Sequence, residues 1–208
     1  MKSSNYKKGI TLFLGISVVV LGLAAYQVVL RRDANSEPVA PSNGESFDLE
    51  IACPVYSQMG ASWSKDELGN SGGSLGSYGC TICSASMALG SYGIDLDPRA
   101  LNRRLITKGG FTESGLLIWK SLAEVAGPDY EIVVRNRFDS QDLDESLRAG
   151  NPLIAKVLYQ GRIWHWVLVV GKKGADYLII DPLSDVGVEL ARNHYSDGFY
   201  AIRYLNKH

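Results

Sequence analysis

Cys80, His165 and Asp181 are the residues of this chain whose types could together make and break a covalent bond. Cys80 follows a tight Tyr78-Gly79 approach and opens a segment of helical pattern. The unpaired N–H groups and the positive dipole end of such a helix stabilise a thiolate, the reactive form of the thiol. Taken alone, a cysteine is more often a small buried hydrophobe than a nucleophile. His165 stands in Trp164-His165-Trp166-Val167-Leu168-Val169-Val170, a strand too apolar to hold a polar ring without partners. If the chain folds back about residue 173, His165 falls opposite Asp181, and directly opposed residues of an antiparallel pair have Cβ atoms about 4.5 to 5.5 Å apart. An imidazole can then take the thiol proton and return it to a leaving group, while a carboxylate fixes its tautomer and supports its charge. Negative charge developing on a substrate oxygen needs a donor, and Gln58, in Val55-Tyr56-Ser57-Gln58, is the candidate.

Positioning these groups takes elements of two kinds. Apolar residues at Ile82, Ala85, Met87, Ala88 and Leu89 predict a helix from Cys80 that stops at Gly93. Asp97-Pro98 is a cap and first turn for a second helix, ended by Gly109 and Gly110. A third is expected over Leu116–Ala126, and Asp139 caps a fourth that stops at Gly150. Strand patterns cover Tyr130–Arg135, Leu153–Tyr159, Ile163–Val170, Tyr177–Ile180 and Phe199–Tyr204. Gly69–Gly79 is Gly/Ser-rich and reads as a surface loop. Helices gathered before residue 127 and strands after 150 predict an α+β domain, a helical N-terminal lobe packed on a mostly antiparallel sheet.

Ahead of the domain, Ile10 to Leu30 carries no charge and would form about 32 Å of helix, enough to cross a bilayer. Lys2, Lys7 and Lys8 before it favour a cytoplasmic N-terminus. A cleaved signal peptide is the competing reading, but the apolar run continues through Val28, Val29 and Leu30, beyond a cut near Ala25. Either reading exports the domain. The expected organisation is a cytoplasmic N-terminus over 1–9, a transmembrane signal anchor over 10–30, a flexible Pro/Ser/Gly linker over 31–48 and a domain over 49–208. With a net charge of −1 and no basic face, nucleic acid is not an expected partner. No phosphate loop or dinucleotide fingerprint argues for a cofactor.

Pro54-Val55-Tyr56-Ser57-Gln58, Gly79-Cys80 with Ser84 and Met87, His165-Trp166-Val167 with Gly171, and Ile180-Asp181-Pro182 together resemble the C39-like peptidases of the papain-type fold. The resemblance spans Ile51 to about Tyr204 in the family's order of Gln, Cys, His and Asp. It implies a cysteine peptidase or amidase acting on peptide or protein, with Gln58 as oxyanion donor, Cys80 as nucleophile, His165 as base and Asp181 as its partner. Members attached to bacteriocin exporters carry a transporter domain; no such pattern is read in these residues, so processing of double-glycine leaders is not expected. Where members often show Gly-Pro-Thr after the nucleophile, this chain has Thr81-Ile82-Cys83.

Three other readings compete. Cys80-Thr81-Ile82-Cys83 is also a C-x-x-C at a helix start, as in a thiol-disulfide oxidoreductase, although no thioredoxin-like βαβ unit surrounds it. Cys53, Cys80, Cys83 and His165 are acceptable zinc ligands, but only one compact cysteine pair is present. A domain of this fold could also bind peptide without cleaving it. Trp166, beside the proposed base, is a candidate shield against water, and His194 and His208 are expected at the surface. Because Gln58 must approach Cys80, the Cys53 segment should lie near the helix's first turn, and a Cys53 to Cys83 bridge that leaves Cys80 free is expected.

Overall fold

A computed structural model describes residues 37–59 and 62–208. The expected cytoplasmic tail and membrane anchor, and the linker up to residue 36, lie outside the described residues. Among the described residues, no helix is long and apolar enough to cross a membrane. The elements run β1 (Leu49–Glu50), α1 (Leu75–Tyr78), α2 (Cys80–Ser91), α3 (Pro98–Thr107), α4 (Trp119–Ala126), β2 (Tyr130–Arg135), α5 (Ser140–Arg148), β3 (Leu153–Tyr159), β4 (Ile163–Lys173), β5 (Asp176–Ile180), β6 (Val188–Leu190), a 3-10 turn (Ala191–Asn193) and β7 (Ala201–Lys207).

The sheet order is β2-β7-β3-β4-β5-β6, with β1 pairing the end of β4, and every pairing is antiparallel. The expected α+β class is therefore the observed one. One face of the sheet, through Ile154, Leu168, Val170, Ile180 and Leu205, packs on α2, α3 and α4. The other face, through Val157, Val167, Val169, Tyr177 and Ile179, packs on Leu143 and Leu147 of α5 and on Tyr195 and Phe199. The helix α2 is buried on nearly every side from Ile82 to Leu89, and its Ala, Ser and Gly residues let neighbours come close. A Cβ on Gly90 would lie 2.4 Å from the Pro54 ring.

Three expectations change. The Gly69–Gly79 stretch contains α1, which Ser74 caps by accepting from Ser77 N and which Leu75 anchors, fully buried. The helix expected over Leu116–Ala126 begins only at Trp119, because Leu116 N donates to Thr112 Oγ1 and Leu117 bridges Phe111. Residues 38–48, expected as free linker, lie along the domain. Val39 exchanges both main-chain hydrogen bonds with Phe199, and the buried Lys172 ammonium donates to Asn43 O, Glu45 O and Asp144 Oδ1. That segment has too little apolar surface to fold alone, but its carbonyls complete a buried cation's shell. The compact unit accordingly begins at Pro38 rather than at residue 49.

Candidate functional site

The nucleophile candidate sits at the junction of α1 and α2. Gly79 ends one helix and opens the next: its N–H donates to Leu75 O, and its carbonyl accepts from Cys83 N. A Cβ at Gly79 would lie 2.3 Å from Leu75 O, so only glycine allows the junction. No side chain caps α2, which leaves first-turn N–H groups and the positive dipole end beside Cys80.

His165 is 4% exposed on β4, and its Nε2 lies 2.7 Å from Asp181 Oδ1. The expected pairing is met by a different register. Leu168 faces Ile180 and a bulge follows Val169, so Asp181, just past β5, continues the ladder opposite Val167. His165 is thus its diagonal neighbour, and an imidazole spans that gap. Because β5 ends at Ile180, the 163–167 part of β4 has no β5 strand beside it. There the start of α2 comes in, with Ser84 Oγ donating to Trp166 O.

The imidazole of His165 acts on the Cys80 thiol through its side chain and its charge, and because Asp181 occupies Nε2, Nδ1 is the nitrogen left to face the sulfur. Burial works to push the thiol up, but the hydrogen bond and charge of His165, with bonds to the Trp166 backbone and Thr81, outweigh it and hold the thiol below its ordinary value. Burial pulls His165 down, yet its bonds to Asp181 and Cys80 and their charges raise it. Asp181 is raised by burial and lowered more by His165, Tyr195 and the Leu183 N–H, so it stays ionised. The arrangement favours a thiolate and an imidazolium side by side.

Gln58 is 3% exposed, and its main-chain N–H donates to Pro182 O at 2.8 Å, joining it to the residue after Asp181. Its Nε2 donates one hydrogen to Gly76 O at 3.0 Å, which orients the amide and leaves a second N–H. Ser57 Oγ also reaches Pro182 O, and Trp63 Nε1 donates to Ser57 O. All four expected residues, Gln58, Cys80, His165 and Asp181, are therefore linked through one set of contacts.

Other expectations fail. Cys53, Cys80 and Cys83 are free thiols, and the Cys53 to Cys83 bridge is absent. The 53–58 segment runs alongside α2 in reverse: Cys53 lies beside Ser91, Pro54 meets Gly90, Tyr56 N donates to Met87 Sδ, and Gln58 reaches Gly76. Cys53 is thus at the far end of the helix, about 12 Å along the axis from Cys83, whereas a disulfide needs Cα atoms within about 7 Å. Burial pushes Cys53 up to about 12 and Cys83 higher still, so both are inert thiols. The same separation splits the proposed zinc ligands, and no group of three His, Cys, Asp or Glu among the described residues could hold a metal ion. Trp166 faces away from His165 and packs on Trp119 with ring centroids 5.1 Å apart and planes tilted by 59°; the rings nearest the imidazole are Tyr159 and Tyr195, at 6.0 and 6.3 Å. His194 and His208 stay partly exposed beside Glu189 and Glu131.

Sequence reasoning missed Tyr195, Gly76 and Pro182. The last two act through carbonyl oxygens, which carry no residue-type signal, and Tyr195 sits in a turn-rich stretch without a motif.

The model of the Peptidase_C39 like family matches residues 50–206, the whole length over which these contacts are built. The chain belongs to that family. Among solved structures it is similar to a C39-like peptidase from Bacillus anthracis, at 18% identity and a TM-score of 0.50, covering 77% of this chain and 98% of that one. It is also similar to the peptidase domain of Streptococcus ComA, a bifunctional ABC transporter involved in quorum sensing, at 19% identity and a TM-score of 0.45, covering 62% and 91%. The Bacillus protein shares the fold. No curated protein matches significantly.

Proposed function

We propose that this C39-like domain is a cysteine peptidase or amidase, held at the membrane by residues 10–30 and facing outward. The observation that carries the reading is the 2.7 Å hydrogen bond between buried His165 Nε2 and Asp181 Oδ1, beside a Cys80 thiol that the same imidazole lowers. The Cys80 thiolate attacks a peptide carbonyl carbon, and the oxygen takes the negative charge. The free N–H of Gln58 Nε2 and the uncapped N–H groups of α2 are the donors near that oxygen. The C–N bond breaks as the imidazolium gives its proton to the leaving nitrogen, leaving a thioester on Cys80. Water then attacks, His165 takes its proton, and the thiolate departs with the acid released. Cys83, buried with its thiol driven up, lacks the accessible thiolate that reversible disulfide exchange needs, and among the described residues every strand pair is antiparallel, unlike the thioredoxin kind.

The test is full-length protein in membranes, given a peptide library and a thiol-directed active-site probe. Wild type should cleave and be labelled at Cys80, and Cys80→Ala should do neither. Cleavage that persists in Cys80→Ala would refute the mechanism. Protease added outside intact cells should reach the domain, and protection from it would remove the outward-facing assignment.

A further inference from the structure

Beyond the four groups assigned above, one side chain contacts the carboxylate that orients the base. The Tyr195 hydroxyl donates to Asp181 Oδ2, the oxygen not used by His165. Tyr195 is 2% exposed, and its ring stacks on the imidazole with planes 29° apart. We propose that Tyr195 is a positioning residue of the hydrolase: it fixes the Asp181 carboxylate so that Oδ1 meets His165 Nε2.

Three observations support this. First, a carboxylate bonded through one oxygen alone can rotate about its Cβ–Cγ bond, and Asp181 is held at both. Oδ1 accepts from His165 and from Leu183 N at 2.8 Å, and Oδ2 takes the tyrosine. Second, Tyr195 is itself held from both sides. Its N–H donates to Ala191 O and its carbonyl accepts from Gly198 N. The next residue, Phe199, is locked to Val39 by two main-chain bonds. Gly198 has φ +88, and a Cβ there would lie 2.3 Å from Val39 O, so the turn that aims Tyr195 closes only with glycine. The segment leading from the expected membrane anchor thus braces the tyrosine. Third, burial and Asp181 both raise the phenol, so Tyr195 remains a donor throughout the working pH range. The other titratable groups facing it are Cys80 on α2, Tyr159 on β3, His165 on β4 and the neighbouring His194 ring. Satisfying a buried hydroxyl needs only some acceptor; this one is spent on the charge that supports the base.

This inference rests on the hydrolase reading, and full-length Tyr195→Phe tests it. The ring and its packing stay, and one donor is lost. The kcat for peptide hydrolysis should fall by about tenfold or more with KM within about twofold, as for loss of a hydrogen bond to a charged group. The pH at which Cys80 becomes alkylatable should rise, because a loosened carboxylate supports the imidazolium less well. Tyr130→Phe, on β2 with its ring against Tyr92 and away from Asp181, should leave both readouts unchanged. In an Asp181→Asn background, adding Tyr195→Phe should cost little more, since both act through one carboxylate. A Tyr195→Phe enzyme with wild-type kcat and alkylation profile, or one whose effect adds fully to that of Asp181→Asn, overturns the proposal while leaving Cys80-dependent cleavage intact. Cleavage that survives Cys80→Ala instead removes the reading beneath it. Alkylation reports on Tyr195 whether or not a good substrate peptide is in hand.

Discussion

Replacing Asp181 by Asn removes a charge while preserving shape. The substituted amide oxygen can still accept from His165 Nε2 and Leu183 N, and its NH2 can face a Tyr195 hydroxyl turned to accept, so the fold should persist. What disappears is the counter-charge of the imidazolium. His165 is raised from an ordinary 6.5 to about 9, a difference of about 3 kcal/mol at ~1.36 kcal/mol per pH unit. Asp181 and Cys80 share that work, so loss of the carboxylate charge should remove about half, roughly a tenfold effect on the ion pair. The sign follows from the directions of the shifts. The thiolate and imidazolium coexist above the lowered value of Cys80 and below that of His165, so hydrolysis should be bell-shaped, with its alkaline limb at about 9. In Asp181→Asn the alkaline limb should fall by about one pH unit, and Cys80 alkylation, which needs only the thiolate, should require a higher pH. Hydrolysis near neutrality should drop by about 10- to 100-fold, combining the lost charge with a freer imidazole tautomer. The assay is initial rates of peptide cleavage and of iodoacetamide labelling across pH 4 to 10. Unchanged limbs in both profiles would refute the argument that Asp181 supports the imidazolium.

Gln58→Ala should lower kcat by about 10- to 1000-fold with little change in KM, as for removal of one oxyanion donor; an equal rise in KM alone would point to substrate binding instead. Alkylation of the folded protein followed by peptide mapping should find Cys80 modified and Cys53 and Cys83 protected but free, with all three labelled after denaturation. Lys172→Met should cost about 3 to 5 kcal/mol in denaturant unfolding, because it strips a buried partner from Asp144 and from the Asn43 and Glu45 carbonyls; a loss below 1 kcal/mol would mean that the 38–48 segment is not clamped by this lysine.

Residue type and local pattern were enough for much of this protein. Asp97 and Asp139 cap their helices as read, the latter in a full capping box, because a cap is a contact within four residues. Tyr130–Arg135 and Leu153–Tyr159 are strands to the residue, since short runs of β-branched, aromatic and other apolar residues bounded by turns favour extended backbone. The order of Gln58, Cys80, His165 and Asp181, with their neighbours, carried the family likeness.

What only the tertiary structure decided concerns contacts between distant segments. The His165 to Asp181 contact was expected from a fold-back about residue 173, but the turn lies at Gly174-Ala175, with Lys173 opposite Asp176; the bulge after Val169 takes back only part of that offset, and the contact survives because a diagonal pair is still within reach. Nothing local tells that the 53–58 segment runs against the direction of α2, which places Cys53 beside Ser91 and rules out its bridge to Cys83. Residues 38–48 look like linker because they cannot build a core, and they become part of the fold only when Lys172 needs their carbonyls and Phe199 needs a partner strand. Tyr195 gains its meaning in the same way. A tyrosine in a turn has no pattern of its own, and it acquires a role when the chain brings its hydroxyl to the far oxygen of Asp181.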